Sequence, residues 1–370
     1  MIYFDSAATT LQKPESVYAA VQRTMRACAS VGRGGHAAAD AAARVVYACR
    51  TEAAELFDAV PEQVVFTMNA THGLNIALRS LVRPGGRVVL SGMEHNAVTR
   101  PLAALGAQIE TADAPPFAPE RLLEGFARAL QQGADAAVCT HVSNVYGNVL
   151  PVSAVAALCR ERGVPLVIDA SQSAGTLPVS LRGTGAAFIA MPGHKGLYGP
   201  QGTGLLLCGA AGEPLLQGGT GSNSLDQSMP DFLPDRHEAG THNVCGIGGL
   251  LAGLRFVRER RPEELLAREC ALTALAARGL RQLPGVEVFT GPGQSGVLSF
   301  RCRDLDCEEA AACLAEAGIA VRAGLHCAPM AHRSGGTLET GTVRVSFSAF
   351  NTSAEVRQFL QVCRTAFLPG

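Results

Sequence analysis

The sequence carries no block of like charge. Lysine and arginine number 31 against 32 aspartates and glutamates, which removes the electrostatic footprint that binding to nucleic acid or anionic lipid needs. It has no membrane-length apolar run either, since the longest, such as residues 134–139 and 164–168, are strand-sized. The first ten residues, MIYFDSAATT, lack both the basic and the apolar region of an export signal, so a cytoplasmic protein is expected. Its twelve cysteines lack the C-x-x-C and histidine spacing of a zinc site, and no metal is expected. In that compartment they stay thiols, most of them as small buried hydrophobes. No internal repeat is present. What these absences leave is a chain of 370 residues suited to a small-molecule substrate and long enough for one large and one smaller domain.

What is present reads as a well-buried α/β protein. Short β-branched runs at residues 64–67, 87–91, 108–111, 136–141, 165–169, 186–191 and 202–208 alternate with amphipathic stretches such as 73–81 and 153–162. The alternation predicts a mainly parallel seven-stranded sheet sandwiched by helices over residues 14–245. Beyond that the texture changes. Helical stretches at 246–260 and 262–283 precede strands at 286–289, 296–300 and 343–347 and a closing helix at 353–367. A smaller α+β domain over 246–370 follows, with residues 1–13 packing nearby. The Gly-rich stretch from Gln217 to His237 reads as a long ordered loop, a length that tends to be functional.

Open parallel sheets bind ligands beyond the carboxyl ends of their strands, and several ends here are pointed. One strand ends in Asp169, followed by Ala-Ser-Gln172; another runs into Pro-Gly-His194-Lys195; a third runs into His141-Val-Ser-Asn144. Pyridoxal phosphate needs a lysine amine for a Schiff base and an anion to keep its ring nitrogen protonated. Lys195 and Asp169 supply both. His95, in Ser91-Gly-Met-Glu-His95, stands where an imidazole stacks on such a ring and moves protons. Ala70-Thr71-His72-Gly73 opens a helix, whose N–H groups and the Thr71 hydroxyl suit a phosphate. Singly, each has a plainer explanation: Asp169 and Thr71 as helix caps, Lys195 as a solvated charge. Their joint order favours the cofactor. His141 reads as structural, and His36 and His332 receive no role.

The segments D-S-A-A-T, M-E-H95, S-N-V-Y-G, D-A-S-Q172, G-H-K195-G-L-Y-G-P, E-A-G-T241 and R322-A-G-L-H-C327-A together resemble the cysteine desulfurase and selenocysteine lyase family. That family belongs to the class V, fold type I pyridoxal-phosphate enzymes, and the resemblance runs from Tyr3 to Thr352. It implies that Lys195 carries the cofactor and later takes the Cα proton. By the same resemblance Asp169 pairs with the ring nitrogen, Gln172 bonds the phenolic oxygen and His95 stacks. Asn144 would sit near the ring oxygen and the substrate carboxylate, His194 and Thr71 at the phosphate, and Arg344 would clamp the carboxylate bidentately. Thr241 would reach the phosphate of a second protomer, making a homodimer. Cys327, with Arg322 and His326 as cations favouring its thiolate, would attack substrate sulfur to give L-alanine and a persulfide for a sulfur-acceptor protein.

Departures from the family pattern are Pro192 and Ala70, where relatives place phosphate-binding hydroxyls, an extra Gly196, and Leu325 in the cysteine loop. His72 is the expected substitute donor at the phosphate. Selenocysteine lyase, a class V aminotransferase, a cystine β-lyase and a catalytically silent scaffold for sulfur transfer remain open at this stage.

Overall fold

The computed structural model describes residues 1–32, 34–222 and 224–367. A short strand β1 (Ile2–Tyr3) precedes helices α1 (Glu15–Ala27) and α2 (Ala37–Leu56). Seven strands follow: β2 (Val64–Thr67), β3 (Arg87–Leu90), β4 (Gln108–Thr111), β5 (Ala136–Thr140), β6 (Leu166–Asp169), β7 (Phe188–Pro192) and β8 (Gly204–Cys208). Between them run α3 (Ala70–Leu81), α4 (Asn96–Ala104), α5 (Pro119–Ala129), α6 (Val152–Glu161) and α7 (Leu181–Thr184). The strands make one sheet in the order β2-β8-β7-β6-β5-β3-β4. Only β8 runs antiparallel to its neighbours. The α/β class and the mainly parallel seven-stranded sheet are as the sequence predicts.

Period-two side-chain alternation explains why the central strands β5, β6 and β7 are buried throughout, unlike the edge strand β4. Val167 and Ile168, consecutive on β6, enter two different cores, one on each face of the sheet. On one face α3 comes close to β7 at Gly73, where a Cβ would stand 3.3 Å from Ala190 Cβ. The run expected at 202–208 begins as a strand only at Gly204, because Gly202 holds a left-handed turn at φ 76°.

Helix α8 (Val244–Arg260) sends Ile247, Leu250 and Leu254 into the core of the large sheet. The remaining chain comprises α9 (Pro262–Leu280), β9 (Val286–Phe289), β10 (Val297–Cys302), α10 (Cys307–Glu316), β11 (Ile319–Ala320), β12 (Arg322–Gly324), α11 (Pro329–Ser334), β13 (Thr342–Ser346) and α12 (Ser353–Ala366). Its four-stranded sheet has the order β12-β13-β10-β9. Phe4 packs edge-on against Phe347 and Phe359 at 4.9 and 5.8 Å between ring centres, and β1 pairs with β11. The amino-terminal segment therefore belongs to this second core, while Thr10 N–H donates to the His194 carbonyl of the first. Among the described residues, 209–243 hold no helix or strand except a single turn at Asp235–His237; residue 223 of the expected loop lies outside them. Among the described residues no helix is long and apolar enough to cross a membrane.

Candidate active site

A cavity of about 270 Å³ opens at the carboxyl ends of β5, β6 and β7. Its lining includes Lys195, Asp169, His95, Gln172, Asn144, His194 and Thr71. Asp169 ends β6 almost wholly buried, and its Oδ1 accepts the Ser171 N–H at 2.9 Å. Lys195 follows β7. Burial above all pulls its ammonium down to about 8; Asp169 and Asp5 oppose this, and Arg344 and Arg322 add to it. Near neutrality an appreciable share of the amine is therefore unprotonated and nucleophilic.

His95 is placed by the turn before it. Glu94, fully buried, accepts the N–H groups of Ser91 at 2.9 Å and Gly92 at 2.8 Å and the Ser91 hydroxyl. His95 then caps α4, its Nδ1 accepting the Ala97 N–H at 3.0 Å. Burial holds its pKa down to about 4, with Asp169 opposing and Lys195 assisting, so the ring is neutral with its proton on Nε2. His194 is likewise held to about 4, by burial first and then Lys195 and Lys13. Its Nδ1 lies 3.1 Å from Thr9 Oγ1. The His194 carbonyl collects the Thr9 and Thr10 hydroxyls at 3.1 Å each and the Lys13 ammonium at 3.2 Å. The Gln172 amide donates to Ala7 at 2.9 Å. These bonds fold residues 7–13 over the site, a role that the sequence reading of D-S-A-A-T did not assign.

The donor set fits pyridoxal phosphate. Asp169 Oδ1 is committed to Ser171, and among the described residues Oδ2 carries no hydrogen bond that would compete with a ring nitrogen. Asn69 caps α3 by accepting the His72 N–H at 2.9 Å, which leaves the Ala70 and Thr71 N–H groups at the positive end of the helix for a phosphate. Pro192 and Ala70 also line the cavity and bring no hydroxyl. His72, the expected substitute, does not line this cavity. Its Nδ1 accepts the Met68 N–H at 3.3 Å, and the ring lines a second cavity of about 200 Å³ together with Thr241, His237, Glu238 and His242. Thr241 is exposed there and does not line its own chain's Lys195 cavity.

The cysteine loop does not line the Lys195 cavity but is bonded to residues at its wall. Cys327 is exposed, and both His326 and Cys327 adopt left-handed backbone, at φ 48° and 55°. Such residues cost roughly 1–3 kcal/mol each and persist only where neighbours over-determine them. The neighbours are explicit. Asn144 Nδ2 donates to the His326 carbonyl at 2.8 Å, and the Asn96 N–H, first in α4, donates to the Cys327 carbonyl at 2.7 Å. Asn144 lines the Lys195 cavity, and Asn96 stands between His95 and Ala97, which line it too.

Arg344, on β13, is buried; it donates to the Asn144 carbonyl at 3.0 Å and pairs with Asp5 at 2.7 Å. Asp5 was missed as a site residue, although it stands inside a motif. Arg322, its ladder partner on β12, is exposed. His326 corrects the sequence reading. Its Nε2 bonds Thr342 at 3.0 Å, its Nδ1 is buried, and burial, with Arg344, His332 and Arg322, drives its pKa down to about 2. It is neutral and turned inward, and so does not supply the charge beside Cys327 that the sequence reading expected.

The aminotransferase class-V family model matches residues 2–359. The chain belongs to that family. It is 32% identical over 377 residues to a probable cysteine desulfurase of Xylella fastidiosa (strain 9a5c), covering 97% of this chain and 89% of that one. A structure of a cysteine desulfurase from Thermococcus onnurineus NA1 superposes with a TM-score of 0.91 at 32% identity, over 99% of this chain and 94% of the other. The cysteine desulfurase CsdA of Escherichia coli superposes at 0.87 and 28% identity, over 98% and 94%.

Proposed function

We propose that this class-V protein is a pyridoxal-phosphate-dependent cysteine desulfurase that converts L-cysteine to L-alanine and leaves the sulfur on Cys327 as a persulfide. The observation that carries the reading is the clamp on Cys327: an exposed thiol on a left-handed turn, held by Asn144 and Asn96 beside the Lys195–Asp169 cavity. A merely structural thiol needs no such turn. Bound pyridoxal phosphate supplies an electron sink for the substrate Cα. Lys195, with its lowered pKa, takes up and returns protons at that carbon. Arg344 receives the substrate carboxylate; its Nε is buried and has no partner among the described residues, an orphan donor that a carboxylate satisfies.

The transfer step balances without an external oxidant. The Cys327 thiolate forms a bond to substrate Sγ, the Cβ–Sγ bond breaks with its electron pair staying on carbon, and Cβ takes a proton. The products are a Cys327 persulfide and alanine. Arg322, exposed on β12, adds positive charge beside Lys195 and Arg344.

A homodimer, with Thr241 serving the phosphate of a second protomer, agrees with the exposure of Thr241 away from its own cavity. A cytoplasmic location agrees with twelve free thiols, and a sulfur-acceptor protein would then relieve the exposed Cys327. As to domain division, the packing of α8 with the large core supports a boundary after Arg260 rather than at residue 245. Steady-state alanine release from L-cysteine and from L-selenocysteine tests the activity. Cys327→Ser is expected to abolish release from L-cysteine while retaining the yellow bound cofactor; full retention of turnover in that variant would point to a β-lyase or aminotransferase instead.

A further inference from the structure

Beneath the Cys327 loop lies a buried polar chain whose donor directions are fixed at one end. His332, on α11, has no exposed surface and no part in the chemistry described so far. At one end the Ser299 hydroxyl donates to the Val145 carbonyl at 2.6 Å, and a carbonyl only accepts. The Thr342 hydroxyl donates to Ser299 Oγ at 3.2 Å. With its own hydrogen spent, Thr342 Oγ1 accepts from His326 Nε2–H at 3.0 Å. His326 Nδ1 is thereby a bare lone pair.

At the other end Tyr146 Oη and Thr337 Oγ1 lie 2.5 Å apart, and Thr337 Oγ1 lies 2.7 Å from His332 Nδ1. If Tyr146 donates to Thr337 and Thr337 to His332, all three are satisfied and the His332 proton stands on Nε2. The two imidazoles are 5.6 Å apart between ring centres and tilted by 36°. Among the described residues His326 Nδ1 and His332 Nε2 are buried with no hydrogen-bond partner. One is an acceptor and the other a donor.

We infer that His332 is a positioning residue for sulfur transfer: its Nε2–H donates toward His326 Nδ1 through one water and completes a single polarised chain from Tyr146 to the Val145 carbonyl that locks the backbone under Cys327. The inference rests on the desulfurase reading. The chain starts and ends on consecutive residues, next to Asn144, whose amide already holds the His326 carbonyl. One short segment thus grips His326 by both ring and backbone, which is what two consecutive left-handed residues require. The chain works while both rings are neutral. Burial takes His332 down to about 4, with the backbone of Thr337 opposing, and the cations bearing on His326, Arg344 and Arg322, further disfavour an imidazolium there.

Nitrogen NMR on the cofactor-loaded, ¹⁵N-histidine-labelled protein reads the tautomers directly. Both His326 and His332 are expected to be protonated on Nε2 alone, with no titration between about pH 5 and 8. His332→Phe, which lacks both nitrogens, is expected to lower kcat for alanine formation from L-cysteine by about tenfold, leaving KM and pyridoxal-phosphate affinity within about twofold. His332→Gln keeps a terminal amide donor and is expected to recover most of that loss. A His332 proton on Nδ1, titration of either ring in that range, or an unchanged kcat in His332→Phe would overturn the inference. Wild-type protein that releases no alanine from L-cysteine would instead sink the desulfurase reading, and with it the link to sulfur transfer, while the nitrogen spectra still decide whether the chain exists.

Discussion

At the scale of single residues, Lys195 shows how surroundings tune a common side chain. Its amine reacts with an aldehyde only when unprotonated, and burial brings its pKa down to about 8. Capture of pyridoxal phosphate by the apoprotein is therefore expected to speed up as pH rises and to level off above about 8. The sign of two substitutions follows from the same site. Asp169 holds the value up, so Asp169→Asn is expected to move the midpoint to lower pH; Arg344 holds it down, so Arg344→Gln is expected to move it higher. Stopped-flow absorbance across pH measures this, and a midpoint near the ordinary lysine value of 10.5, or shifts of the opposite sign, would contradict it. Lys195, Asp169, Gln172 and His95 were legible in the sequence because each ends or follows a strand within a dense motif. His326 was not, because adjacency to Cys327 says nothing about which way a ring turns, and here left-handed backbone turns it inward to Thr342.

At the scale of elements, the large sheet was readable and the small pieces were not. Runs of four or five apolar residues mark β5, β6 and β7 unambiguously, whereas β1, β11 and β12 are two or three residues long and leave no periodic signal. Yet β12 carries Arg322 and β1 leads into Asp5. Pairing with β13 and β11 decides their conformation, and pairing between distant segments is not written in local sequence. A buried ion pair ties two further elements. Arg50 of α2 forms a two-pronged pair with Glu238 at 2.9 and 2.8 Å, and Glu238 also accepts the Phe66 N–H of β2 at 2.6 Å. Removing one partner strands the other charge, so Glu238→Ala is expected to cost about 3–5 kcal/mol in urea unfolding. A loss below about 1 kcal/mol, the range of an exposed pair, would show that the pair holds nothing.

At the scale of the whole molecule, two cores meet at one catalytic cleft. The large sheet supplies Lys195, Asp169 and His95; the carboxyl-terminal part supplies Arg344, Arg322 and Cys327; and residues 5–13 bond to both. Asn144 joins the halves, since it lines the cavity while holding the His326 carbonyl and accepting from Arg344. This arrangement makes a definite demand on the sulfur, which must leave the substrate onto one thiol out of twelve. Peptide mass analysis of the cofactor-loaded protein after incubation with L-cysteine tests that demand most directly. The account predicts the mass of one extra sulfur on the Cys327 peptide and on no other cysteine peptide. Alanine formed with no sulfur on Cys327, or sulfur carried equally by other cysteines, would contradict it.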